Sequence, residues 1–222
     1  MVSQSAESKR DKTIRRILDA AVKIFSESGF AGARMDEIAK QAKINKAMIY
    51  YHIGDKKALY AEVLRDIIGN AAEHFISNLD ESQSPEQKLK YYINAVTRTM
   101  DQNPLLAPIM MREQASGGQN LPEVIAKDFA SIIGVVTNIL EEGAKQGVFI
   151  KTTPFIIHSM VIGGTMFYKS TYPVRSESAV FPETVKKLEE GATGDFSREV
   201  EKLILKAVKY ENIENITSGE RE

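Results

Sequence analysis

Residues 35–59 read MDEIAKQAKINKAMIYYHIGDKKAL, and this stretch decides how the rest of the chain is organised. Two short helical segments separated by a break, with a third beginning just behind, form a helix-turn-helix. Asn45 is suited to cap the second segment, because its side chain can accept from the free N–H groups of the next turn. With that cap, Ile44 and Ile49 occupy the two positions of a hydrophobic staple, which fixes the angle at which the chain enters the helix. Ile49 and Ile53 are four apart and share the inward face. Ala47, Tyr50 and Tyr51 then point outward. A small residue beside two phenols suits close approach to a groove and hydrogen bonds to backbone phosphates. Met48 could touch a thymine methyl or belong to the core.

Asp55 caps the following helix and places Lys56 and Lys57 in its first turn. Cations there oppose the helix dipole. The arrangement makes sense when an external anion sits on the helix N-terminus, and phosphate is the usual one. Two solvated lysines are the plainer alternative; the preceding Tyr50-Tyr51-His52 turn favours the phosphate. Lys46, Ala47 and Tyr51 are therefore placed near base edges. Arg34, Tyr50, His52, Lys56 and Lys57 are placed on phosphates.

Over residues 13–60 the chain resembles the N-terminal DNA-binding domain of the TetR family of bacterial transcriptional regulators. The resemblance is carried by Ile17-Leu18-Asp19-Ala20-Ala21 with Phe25 and Gly29-Phe30, then Ile38-Ala39, Ile49-Tyr50-Tyr51-His52-Ile53 and Lys56-Lys57-Ala58-Leu59. Two positions depart from the family pattern. Lys43 stands where the turn usually has glycine, and Ala33-Arg34 where the second helix often opens with serine or threonine. A non-glycine residue with positive φ is uncommon, so a different or strained turn is expected at Lys43. The resemblance implies a repressor that binds a palindromic operator in double-stranded DNA as a homodimer. It also implies release by a small effector, of unknown identity, bound in the body.

The 222 residues are 43% hydrophobic and 27% charged, ordinary for a globular protein with a sizeable core. The net charge of −1 hides an asymmetry: residues 1–60 hold 12 Lys+Arg and 7 Asp+Glu, leaving 17 and 23 for the rest. A basic head on an acidic body directs the head at a polyanion. There is no cysteine, which removes disulfides, zinc fingers and thiol catalysis. Neither a signal peptide nor a run of eighteen apolar residues is present, so a cytoplasmic location and no membrane partner are expected. His52, His74 and His158 lack metal-ligand spacing, and no phosphate loop or nucleophile elbow occurs. No enzyme activity, metal or cofactor is expected. A lipid-binding helical protein is the other rival, but a surface-lying helix needs no capped helix-turn-helix.

The expected fold is all-α: a three-helix helix-turn-helix domain over residues 1–60 and a larger helical effector-binding and dimerisation domain over 61–222. Residues 1–10 are polar and expected to fray. Helix 1 covers 11–28, with Ile14, Ile17, Leu18, Ala21, Val22 and Phe25 on one stripe and Gly29 as its stop. A long helix from Lys56 to Leu79 ties head to body, and residues 80–85 form a linker. Ser84-Pro85-Glu86-Gln87 is a capping box. Further helices are expected at 85–102, 105–114, 122–146, 154–170 and 196–211. A turn of helix is expected near 183–190, and the tail after Asn212 is expected to be loose.

The segment 154–170, FIIHSMVIGGTMFYKS after Pro154, is apolar almost all round, so it must be buried on more than one side. Val161, Gly163 and Gly164 here, with Val200, Leu203, Ile204, Ala207 and Val208 on the last helix, form the expected dimer interface; a monomer core is the alternative. Met100, Met110, Met111, Phe129, Ile133, Met160, Phe167 and Tyr168 are candidates for an effector pocket, since methionine adapts to varied shapes, though such a stripe is more often simply core. Arg112 and His158 could orient a polar group of the effector, or serve as a surface arginine and a satisfied core histidine.

Overall fold

The computed structural model describes residues 2–177, 182–184, 186–187 and 196–209. The turn expected near 183–190 falls partly outside them, and the tail after Asn212 wholly so. Helix α1 spans Val2–Gly32, so the polar residues expected to fray are helical. Gly29, with φ 66° and ψ 179°, breaks the helix at the predicted stop. Helices α2 (Met35–Ala42), α3 (Lys46–His52) and α4 (Lys56–Leu64) complete the head. Asn45 Oδ1 accepts from the Ala47 N–H at 2.9 Å, and Asp55 Oδ1 from the Ala58 N–H at 2.8 Å. Both caps are therefore made by the residues the sequence offers for them.

The connector is not one uniform helix. A π-helical turn over Arg65–Gly69 separates α4 from α5 (Asn70–Ser77). α6 (Pro85–Gln102) opens on the expected reciprocal capping box of Ser84 and Gln87. Lys88, buried near its start, bridges Glu81 at 3.0 Å and Glu142 at 2.9 Å, pinning the 80–85 linker to the bundle. α7 (Leu106–Ala115), α8 (Glu123–Lys145) and α9 (Pro154–Ser170) follow. Thr153 holds the N-cap position of α9, but its side chain makes no capping bond. α10 (Tyr172–Glu177) and α11 (Phe196–Val208) complete the described chain. Its only non-helical pairing among the described residues is an isolated bridge between Phe149 and Lys209.

Two cores hold these helices. Ile17, Phe25, Ile38, Ile49 and Leu59 fill the first, which runs without a break into Leu106, Ile109 and Met110 of α7 and Met166 of α9. The second joins Tyr92 and Ile93 of α6, Val136 and Leu140 of α8, Val161 of α9 and Ile204 and Val208 of α11. Gly143 matters here: the Phe149 ring lies 2.0 Å from where a Cβ would stand, so only glycine admits it.

Candidate functional site

The helix-turn-helix is held from behind. Lys43 adopts φ 53°, ψ 49°, the sole non-glycine residue with positive φ among the described residues. The turn is thus strained at Lys43, one of the two outcomes expected there. The Arg16 guanidinium on α1 donates to the carbonyls of Ala42 at 2.6 Å and Lys43 at 3.0 Å, satisfying the end of α2 and fixing the turn. Nothing near Lys43 in sequence announces this partner, which lies 27 residues away.

Ile49 is fully buried, and it turns the opposite face of α3 to solvent. Tyr51 is 81% exposed, Tyr50 49% and Met48 39%, and Ala47 lies beside them. Met48 therefore belongs to the outer face. Arg34 is exposed in extended backbone ahead of α2. Lys46 is engaged by Asp36 at 3.0 Å, a bond that raises its pKa above the ordinary lysine value. Both partners are solvent-exposed, so the pair is weak and can exchange for a phosphate or base edge. The His52 ring packs edge-on to Tyr51 at 5.0 Å, and its Nδ1 is buried without a partner among the described residues.

The two lysines of the α4 N-terminus separate in role. Lys57 is exposed. Lys56 donates to the Ala31 carbonyl at 3.1 Å and lies 4.8 Å from the centre of the Phe30 ring. It already closes α4 onto the end of α1, leaving only part of its donor capacity for an external anion.

Behind α4, α7 faces two ways. On one side Arg112 Nε donates to the Ser26 carbonyl at 3.1 Å, and the buried Glu113 accepts from Tyr60 Oη at 3.2 Å and from the Asn120 N–H at 2.6 Å. Tyr60 also packs against Phe25 and Phe30, with ring centres 4.9 and 5.2 Å away. Burial, then the Glu113 charge, pushes the Tyr60 phenol well above its usual pKa, so it stays a donor. On the other side, Leu106, Met110 and Gln114 line a cavity of about 470 Å³.

That cavity lies among α5 to α9. Of the residues singled out in the sequence, Met100, Met110, Phe129, Ile133 and His158 line it, joined by Phe75, Tyr92, Val96 and Met166. Five expected pocket residues lie elsewhere. Met111 packs against the first core and Arg112 binds the head. Met160 and Phe167 are 48% and 62% exposed on the outer face of α9. Tyr168 stacks on Phe196, with ring centres 4.1 Å apart, beneath the Arg175 guanidinium. Tyr92 and His158, both buried, hydrogen-bond through Oη and Nδ1 at 2.8 Å; burial lowers the His158 pKa, keeping the ring neutral.

The expected interface needs a similar correction. Val161, Ile204 and Val208 are buried in the chain's own second core, and Val200 packs against it. Gly163, Gly164, Leu203 and Ala207 remain at or near the surface, with open space at the positions a glycine Cβ would take. Ile156, Met160 and Phe167 extend this into one apolar face of α9, and Leu203 on α11 is 63% exposed.

A helix-turn-helix with an exposed second helix, on a helical body that holds an apolar cavity, defines a class of DNA-binding regulator. Residues 17–63 match the family described as bacterial regulatory proteins, tetR family, and residues 85–184 the tetracyclin repressor-like C-terminal domain. The chain is 32% identical over 145 residues to the HTH-type transcriptional repressor NicS of Pseudomonas putida, a match spanning 63% of this chain and 66% of that protein. It is 26% identical over 162 residues to the HTH-type transcriptional regulator RutR of Escherichia coli, covering 72% and 74% of the two chains. The crystal structure of HlyIIR, a hemolysin II transcriptional regulator, aligns over 91% of this chain and 99% of its own, with TM-score 0.60 and 26% identity. The chain belongs to the TetR family of bacterial regulatory proteins, and its relatives support a role in DNA-binding regulation.

Proposed function

We propose that this regulator is a repressor which binds a palindromic operator as a homodimer and leaves it when a small, mostly apolar effector fills the body cavity. The outer face of α3 reads the major groove through Lys46, Ala47, Met48 and Tyr51. Arg34, Tyr50, His52 and Lys57 contact phosphates, with Lys56 a lesser contributor because its ammonium is shared with Ala31. Two heads related by a two-fold axis read two half-sites. The exposed apolar face of α9, with Leu203 and Ala207 of α11, supplies the self-complementary surface such a dimer buries.

The observation that carries effector control is the placement of α7. Met110 and Gln114 face the cavity, while Arg112 and Glu113, one turn or less away, hold Ser26 and Tyr60 of the head. A ligand that fits the cavity better in one head position than another shifts the equilibrium by that difference in affinity.

Operator-binding titrations in moderate salt test the reading. Tyr50→Phe and Lys57→Ala weaken binding on specific and random duplex alike, and Lys57→Ala reduces the salt dependence. Wild-type affinity in both variants would remove the phosphate assignment. Phe167→Glu yields a mass of one chain by light scattering; an unchanged dimer would place the interface elsewhere.

A further inference from the structure

The cavity carries a second message, about what it holds. None of its lining residues is Lys, Arg, Asp or Glu. A carboxylate or ammonium buried there would lose its hydration and meet no opposite charge, a large penalty for an unpaired ion. Its volume, about 470 Å³, lies within the range of about 300–1,000 Å³ that takes drug-sized molecules. Among its polar liners, Thr99 already donates to the Ala95 carbonyl within its own helix. The pair of Tyr92 and His158 is the buried polar feature.

The proton order in that pair follows from accounting for donors. Tyr92 is 1% exposed, and among the described residues its hydroxyl has no partner but His158 Nδ1. A buried O–H must donate, so Nδ1 is the acceptor and the proton of the neutral ring sits on Nε2. Nε2 has no protein partner among the described residues, yet is not among the fully buried unpaired atoms. On a residue that lines the cavity, that makes it an available N–H donor.

We infer that the cavity selects an uncharged, largely apolar molecule carrying one hydrogen-bond acceptor, such as a ketone or ester oxygen, which His158 Nε2 reads while Tyr92 holds the imidazole in its donor tautomer. This rests on the cavity being the effector site. His158 is then a specificity residue and Tyr92 a positioning residue.

Two matched probe pairs test it on the full chain. N-phenyl-1-naphthylamine and 8-anilino-1-naphthalenesulfonate differ by one sulfonate, and the neutral dye binds at least tenfold more tightly. Ala95→Phe, which fills the cavity, abolishes that binding, whereas a dye adsorbed on the outer face of α9 would be unaffected. Benzophenone and diphenylmethane differ only in the carbonyl. Benzophenone displaces the neutral dye about fivefold more effectively, the ratio expected of a hydrogen bond worth about 1 kcal/mol. His158→Leu and Tyr92→Phe lose that preference, and His158→Gln, which restores an N–H donor, retains it. Equal or tighter binding of the sulfonate, or a carbonyl preference that survives in His158→Leu, overturns the inference and leaves the effector site standing. Failure of both dyes to bind, or binding unaffected by Ala95→Phe, overturns the effector site and the inference with it.

Discussion

In the head, the N-termini of α3 and α4 are capped by residues close in sequence; in the body, α11 is docked by residues far apart. Asn45 caps α3 two residues away and Asp55 caps α4 three residues away. In the bundle, Ser197 on α11 bonds Asn94 at 2.6 Å and Thr97 at 2.8 Å, about a hundred positions distant, and Glu201 accepts from Asn94 at 3.2 Å. Ile150 reaches the Val208 carbonyl at 2.7 Å. A regulator benefits from this division. A reading helix capped by its own neighbours keeps its shape, while a body joined through such long-range contacts can repack around a ligand.

The largest effect that sharpens the contrast is expected in the body. Phe149 is buried in the second core and seated on Gly143. Phe149→Ala leaves a cavity and costs about 3–5 kcal/mol. Gly143→Ala inserts a methyl where the ring stands and costs about 1–3 kcal/mol through displacement. Denaturant unfolding monitored by circular dichroism measures both. Equal losses in a variant lacking α11 would show that the region is as local as the head and break the comparison.

The head responds on a smaller scale. Asn45→Ala and Asp55→Ala each remove one side-chain cap, at about 0.5–2 kcal/mol. Because the two caps are separate hydrogen bonds, their effects add in the double variant. Strong non-additivity in the double variant would mean that the helices are not independently closed.

A titration distinguishes the regions further. His158 is held neutral by burial, so its folded pKa lies below the ordinary value of about 6.5. Above that pH neither state binds the proton and stability is unaffected. As pH falls below about 6.5, the unfolded chain takes up a proton that the folded body resists, and stability drops until the folded pKa is passed. Wild type therefore loses more melting temperature than His158→Gln between pH 7.5 and 5.5. Parallel slopes would remove His158 as the cause.

This difference in information explains what could be read from the chain. The boundaries of α2, α3, α6 and α8, the Asn45 and Asp55 caps and the outward face of α3 follow from signals within one or two turns. The body's faces do not. α9 is apolar on nearly every side, so periodicity has no phase to offer: Val161 lies inside and Met160 outside, Met166 inside and Phe167 outside. On α11 the apolar stripe is wide enough to serve two partners, and only packing shows that Ile204 and Val208 belong to the chain's own core while Leu203 does not. The cavity suffered the same ambiguity, since methionines that line it and those that leave it look alike in sequence. Lys56, Arg112 and Arg16 were beyond reach for another reason. Their partners are carbonyls on other helices, and a carbonyl carries no residue identity.

The smallest expected effect probes the head at its one unfavourable backbone angle. Lys43 at φ 53° brings its Cβ toward the following carbonyl, a strain of about 1–2 kcal/mol. Glycine removes that strain but gives the unfolded chain extra freedom worth about 0.5–1 kcal/mol. Lys43→Gly is therefore expected to stabilise the DNA-free protein by roughly 0.5–1 kcal/mol, the difference of the two terms. The bonds that hold the turn survive, because Arg16 donates to the backbone oxygens of residues 42 and 43 and not to the lysine side chain. A raised denaturation midpoint would confirm that the turn is held by Arg16 from α1 and not by its own side chain. A lowered midpoint would mean that the Lys43 side chain itself supports the turn, and local signals would then account for more of the head than its backbone contacts do.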